Sequence, residues 1–185
     1  MEQPIVRGVT ASFSDVLITV AGGAGPPPAA AHILRLAAGL GVPVAAVASC
    51  GGSRAVAFTV PRSHGPLAAA TLARALAGAG QVRLDDQVVE VALLGAGLRS
   101  APAMTATFCE ALARAGVRLA ATSFESRRLA VLCPRSQLAR AVRALCEVFE
   151  IGVIGVIGAG APQAPPAAPA DRLGPQPSWY LPTGG

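Results

Sequence analysis

Apolar and polar positions along this chain alternate in short runs, switch to helical spacing, and do so twice. Residues 7–12 and 16–20 read as strands, the second β-branched and closed by Gly22-Gly23. A turn-rich loop, 22–28, precedes a helix over 29–40 with Ile33, Leu34, Ala37 and Leu40 on one stripe, and Gly41 ends it. Residues 42–48 and 55–60 read as strands joined through Cys50-Gly51-Gly52-Ser53, a hairpin signal. Ser63 is placed to cap a helix over 66–77, and 82–84 forms a short closing strand.

The second half repeats the order. Residues 87–94 form a strand, 95–101 a loop, and Pro102 opens a helix with Thr105, Phe108, Leu112 and Ala115 on one side. Gly116 stops it, and 117–122 and 128–133 follow as paired strands. Ser136 is placed to cap a helix whose Leu138, Val142, Leu145 and Phe149 share a face, and 151–157 is a last strand.

The repetition extends to residue identity. Phe58-Thr59-Val60-Pro61-Arg62-Ser63 returns as Val131-Leu132-Cys133-Pro134-Arg135-Ser136, and Gly41-Val42 returns as Gly116-Val117. Each unit therefore reads β-α-β-β-α-β, the ferredoxin-like order, in the α+β class. Units of this size are marginal alone and leave a sheet face or edge open, so the two are expected to pack side by side and to self-associate.

Composition narrows the function. Aromatics are 4% of the residues, and the net charge of +5 comes from Arg, with no Lys in the chain. The Arg residues are spread rather than clustered among aromatics, which argues against a nucleic-acid surface. No phosphate loop and no C-x-x-C or His-Cys spacing occurs, so neither a nucleotide cofactor nor a metal is expected. Cys109, Cys133 and Cys146 fall on apolar faces and read as small hydrophobes of a reducing, cytoplasmic setting. No membrane span is expected, since Gly, Pro or charge interrupts every long apolar run. His32 and His64 lack nucleophile or carboxylate partners, and Asp85-Asp86 reads as a solvated turn between units. From about Ala159 a Pro/Ala/Gly-rich tail begins, expected to be disordered, with Trp179-Tyr180 near its end.

Three motifs in order resemble one family. Val91-Ala92-Leu93-Leu94-Gly95-Ala96-Gly97-Leu98-Arg99-Ser100-Ala101-Pro102 is similar to V-S-x-V-G-A-G-M-x-S-x-P. Residues 58–63 match F-T-x-P-R-S, and Arg143-Ala144-Leu145-Cys146-Glu147-Val148-Phe149 resembles R-A-L-H-x-x-F. These are marks of the tandem ACT-domain regulatory region of aspartate kinase, and the chain looks most similar to the separately translated β subunit. The resemblance implies one ACT domain over 13–86, inserted into a second formed by 1–12 plus 87–158. It further implies a dimer, a kinase-bearing α-type partner, no kinase activity in this chain by itself, and feedback control by a pathway amino acid of the lysine or threonine class.

In that family the effector carboxylate meets backbone N–H groups at the loop entering the first helix, and an acidic or amide side chain meets its ammonium. The resemblance places these contacts on Gly22, Gly25, Ser49 and Cys50 in the first unit, and on Gly97, Arg99, Ser100 and Ser123 in the second. The family's D-x-P-G loop falls on Gly25-Pro26-Pro27-Pro28, which lacks the carboxylate and two backbone donors, so the first site is expected to be impaired. In the second unit Ser123-Phe124-Glu125-Ser126 moves the family's acid by one place, which in a strand turns it to the other face. A scaffold that binds no effector and a stand-alone sensor with another partner remain alternatives.

Overall fold

A computed structural model describes residues 4–22, 30–45, 47–50 (backbone only), 55–77 and 79–158. The elements run β1 (Ile5–Ser12), β2 (Asp15–Gly22), α1 (Ala30–Gly39), β3 (Val47–Cys50), β4 (Ala55–Pro61), α2 (Gly65–Ala75) and β5 (Gly80–Asp85). Then follow β6 (Val88–Ala96), α3 (Pro102–Arg114), β7 (Ala121–Glu125), β8 (Arg128–Pro134), α4 (Leu138–Phe149) and β9 (Val153–Ile157).

The strands form two sheets. One has the order β3-β4-β2-β5, and the other β7-β8-β6-β1-β9. In the second sheet β1 lies between β6 and β9, antiparallel to the first and parallel to the second. The chain thus leaves one sheet after β1, completes the other, and returns at β6. Both halves are ferredoxin-like α+β units.

Alternation along the strands explains the cores. Val16, Ile18 and Val20 of β2 and Val56, Phe58 and Val60 of β4 turn to one side, where Ile33, Ala37, Ala68 and Leu72 of the helices cover them. In the other unit Val89, Val91 and Leu93 join Leu129, Val131 and Cys133 beneath Phe108, Leu112, Ala141 and Leu145. The helix-free faces meet each other through Leu17, Ala57, Val88 and Leu132, all buried. These four are the odd members of their strands, apolar where a solvated face would be polar, and that is why the two sheets stay together.

Both helix stops take the left-handed backbone expected of a C-terminal glycine: φ is +64° at Gly41 and +65° at Gly116. α4 buries the Leu138, Val142, Leu145, Phe149 stripe.

Other details differ from the sequence reading. Neither Ser63 nor Ser136 caps a helix. The cap positions are His64 and Gln137, without side-chain cap bonds. A tight turn precedes α2 and a 3-10 turn, Arg135–Gln137, precedes α4, and backbone carbonyls take the N–H groups a hydroxyl was expected to take: His64 N–H donates to Pro61 O (2.9 Å), Gly65 N–H to Arg62 O (3.3 Å) and Leu138 N–H to Arg135 O. In α3 the buried stripe is Met104, Phe108, Ala111 and Leu112, rather than one that includes Thr105 and Ala115. In α1 only Ile33 and Ala37 are buried, Leu34 being half-exposed. β7 starts at Ala121, because the preceding residues close α3: Val117 N–H donates to Leu112 O, and Gln137 Oε1 accepts from the Arg118 N–H. The loop through Gly25 and Pro26 to Pro28, the hairpin residues 51–54 and the tail from 159 lie outside the described residues.

Candidate effector site

The second-unit loop is built by strand pairing. β6 and β8 run antiparallel with Leu94 opposite Arg128, so the end of β6 lies beside the β7–β8 turn. Two bonds tie the loop to that turn: Gly95 N–H to Arg127 O (3.0 Å) and Leu98 N–H to Ser126 O (2.9 Å). Leu98 is buried and anchors the loop in the core, while Arg99 and Ser100 stand exposed. Gly97 has φ +67°, and its carbonyl accepts from the Ser100 N–H at 3.2 Å. Helix α3 follows with Pro102 in its first turn. The arrangement presents an Arg, a Ser hydroxyl and a helix N-terminus at one end of the sheet, which suits an anionic group.

Ser123 sits on the edge strand β7, opposite Ala130. Its neighbour Phe124 packs edge-on against Phe108 of α3, with ring centroids 6.4 Å apart. Phe124 therefore occupies the helix side of β7, and alternation sends Ser123 and Glu125 to the helix-free face. There Ser123 Oγ is 3.5 Å from Glu125 Oε1. Gly97, Arg99 and Ser100 are thus gathered in one loop, with Ser123 on the adjoining strand but facing the seam between the sheets.

In the first unit Gly22 ends β2, opposite Gly80 of β5. Ser49 and Cys50 end the edge strand β3, opposite Val56 and Ala55. Gly22, Ser49 and Cys50 occupy the places in this sheet that the end of β6 and the end of β7 occupy in the other. Gly25 lies outside the described residues.

Sequence reasoning passed over a second group of polar residues. Asp15, Thr59, Glu90, Ser123, Glu125 and Arg128 line a cavity of about 80 Å³ where the helix-free faces diverge. Glu90 and Arg128 form a partly buried ion pair across β6 and β8. Burial pushes the Asp15 carboxyl above its ordinary value, against the pull of the Arg128 and Arg62 guanidiniums. The available signal was alternation: Glu90 stands between buried Val89 and Val91, and Arg128 before buried Leu129, so both had to face the seam. The cavity is too small for a typical ligand pocket. Among the described residues no group of three or more His, Cys, Asp or Glu is placed to hold a metal. His32 and His64 are exposed, and His64 Nδ1 lies 3.1 Å from Ser63 Oγ.

Comparison with known proteins decides what this architecture is. The ACT-domain family model matches residues 91–149, the span from mid-β6 through α4. Those residues carry an ACT domain. The chain is 38% identical over 154 residues to an aspartokinase of Mycobacterium bovis, covering 80% of this chain and 37% of that protein. An aspartokinase of Corynebacterium efficiens is 33% identical over a stretch of the same length. The chain thus spans a little over a third of the curated relatives it matches. Among solved structures, the ligand-free regulatory subunit of aspartate kinase from Thermus thermophilus superposes with a TM-score of 0.70 at 26% identity, over 80% of this chain and 99% of that one. A chain in a structure of aspartokinase alpha and beta subunits gives the same score and identity, over 79% and 99%. The chain therefore has the fold of an aspartate kinase regulatory subunit. No helix among its described residues is long and apolar enough to cross a membrane.

Proposed function

We propose that this chain is a non-catalytic regulatory subunit that binds an amino acid of the lysine or threonine class and conveys its presence to a kinase-bearing α-type partner. The observation that carries this reading is the extent of the likeness to the Thermus thermophilus regulatory subunit, 99% of whose length is covered. The Gly97–Ser100 loop supplies a place for the effector carboxylate, with Arg99 and Ser100 beside the N-terminus of α3. In this reading the units 13–86 and 1–12 plus 87–158 are the two ACT domains, copies self-associate through them, and the complex is cytoplasmic. Effector binding becomes regulation through a difference in affinity between two arrangements of subunits.

A second reading, a scaffold that binds no effector, is favoured by one observation: Pro26 and Pro28 lack the N–H groups that the first-unit loop needs. Two measurements separate the readings. Co-purification with an α-type subunit tests the partner, and calorimetry of the complex with lysine and threonine tests the effector. Association with saturable heat supports the regulatory reading. Association without heat leaves the scaffold, and no association removes both.

A further inference from the structure

The duplicated Pro-Arg-Ser segment marks both units, yet the site described above does not use it. Its two copies behave alike in the main chain. Arg62 N–H donates to Ser14 O at 2.7 Å, and Arg135 N–H donates to Gln87 O at 2.8 Å. Ser14 and Gln87 are the residues immediately before β2 and β6, so each copy fastens the first strand of its own unit.

The side chains do something else. The chain crosses between sheets at two places, from β1 to β2 through Phe13-Ser14 and from β5 to β6 through Asp86-Gln87. Arg62 reaches both. Its Nε donates to Phe13 O at 2.8 Å, one terminal nitrogen to Asp86 O at 3.1 Å, and the other to Asp15 O at 3.4 Å. Arg135 approaches the first crossing from the other unit, its guanidinium carbon 4.9 Å from the centroid of the Phe13 ring. Phe13 is 1% exposed, held in the core of the second unit. Asp86 is further fixed by the Gln87 side chain, whose Nε2 donates to Asp86 Oδ1 at 3.0 Å.

We propose that Arg62, with Arg135 stacked on Phe13, is a clasp that locks both interunit crossings together, so that the two units move as one body. Only Arg has a planar fork of donors able to serve three carbonyls at once; an ammonium on a Lys stem is a point donor with different reach. Without the clasp the units stay joined by two short connections and the small Leu17–Ala57–Val88–Leu132 seam, an arrangement in which relative motion is the default. The clasp stands on this geometry alone. Its use, carrying occupancy at one unit's loop to the other unit, rests on the regulatory reading.

The test is hydrogen exchange and equilibrium unfolding of the full chain as Arg62→Ala and Arg62→Lys, with exposed Arg83 of β5 changed to Ala as control. The amides of Phe13, Gln87 and Arg135, bonded respectively to Ile157 O, Asp85 Oδ1 and Gln87 O, report on the crossings. Both Arg62 variants are expected to speed exchange there on the order of tenfold, as lost charge-assisted bonds would. They should also split a single unfolding transition into two, while the strand centres Ile18 and Val91 keep their protection. If Arg62→Ala does not fold, Arg62→Lys gives the same readout. Crossing amides that exchange as in the control, with one transition retained, would overturn the clasp. None of these outcomes depends on an effector or a kinase partner, so failure here leaves the regulatory reading to its own test.

Discussion

Gly95 runs directly against Ile5. A Cβ added at position 95 would collide with the Ile5 carbonyl oxygen and come within 2.9 Å of Leu98 Cδ2. The contact lies where β1 enters the second sheet and where the loop of the candidate site begins, so one missing side chain serves both. Gly95→Ala is expected to cost about 2–3 kcal/mol or more, because the obstructing atom is backbone and β1 must shift. Gly39, with nothing within 4 Å of its added Cβ, is the control, and Gly39→Ala should stay within about 0.5 kcal/mol. Urea unfolding of the two variants measures the difference.

Arg128 shares the seam cavity with three carboxylates, those of Glu90 and Glu125 in its own sheet and that of Asp15 in the other. Arg128→Ala leaves Glu90 partly buried without its cation, and a loss of about 1–3 kcal/mol is expected, short of a fully buried pair. Replacing Glu90 as well, by Gln, should recover part of that loss. A double-mutant cycle reads the coupling.

The raised native pKa of Asp15 sets a sign for pH dependence. The folded chain holds this proton more tightly than the unfolded chain, whose carboxyl titrates near 3.8. The contribution of this group therefore falls as pH rises from that value through the raised native one, and is lowest at neutral pH. Asp15→Asn should be neutral to mildly stabilising at pH 7, and that advantage should fade as pH falls toward 3.8. Thermal melts across the range check both the direction and the window.

Cys133 is fully buried in the second core, and burial pushes its thiol up to about 11. In the native protein at pH 8 it should resist alkylation, reacting only on unfolding. Cys133→Ser places a hydroxyl among Val89, Val131 and Leu145, and is expected to cost about 1–3 kcal/mol. Mass spectrometry after a maleimide pulse, with and without denaturant, tests the first expectation.

The periodicity carried much of the fold. The order β-α-β-β-α-β was legible twice because Val, Ile and Leu alternate at period 2 in β2, β4, β6 and β8 and at helical spacing in α4. The ends were less legible. Ser63 and Ser136 had the right chemistry for caps, but backbone carbonyls satisfied N–H groups first, those of Pro61 and Arg62 in the turn before α2 and that of Arg135 in the 3-10 turn before α4. The start of β7 slipped because Val117 and Arg118 are engaged in closing α3, a long-range use that no local pattern announces.

The loop of the candidate site was legible through Gly95, Gly97, Arg99 and Ser100. The seam was not. Asp15, Glu90 and Arg128 come from three strands, and what brings them together is the packing of two helix-free faces, which sequence spacing along one strand does not encode. The role of Arg62 was hidden for the same reason: its acceptors lie 49, 24 and 47 residues away.

The most direct measurement is the rate of aspartate phosphorylation by a kinase-bearing α-type aspartokinase subunit, with and without this chain, as lysine and threonine are titrated. A regulatory subunit predicts that this chain alone has no activity, and that inhibition by one of these amino acids appears or sharpens only when the chain is present and weakens with Arg99→Ala. Phosphorylation of aspartate by this chain alone, or inhibition indifferent to its presence, would contradict the account.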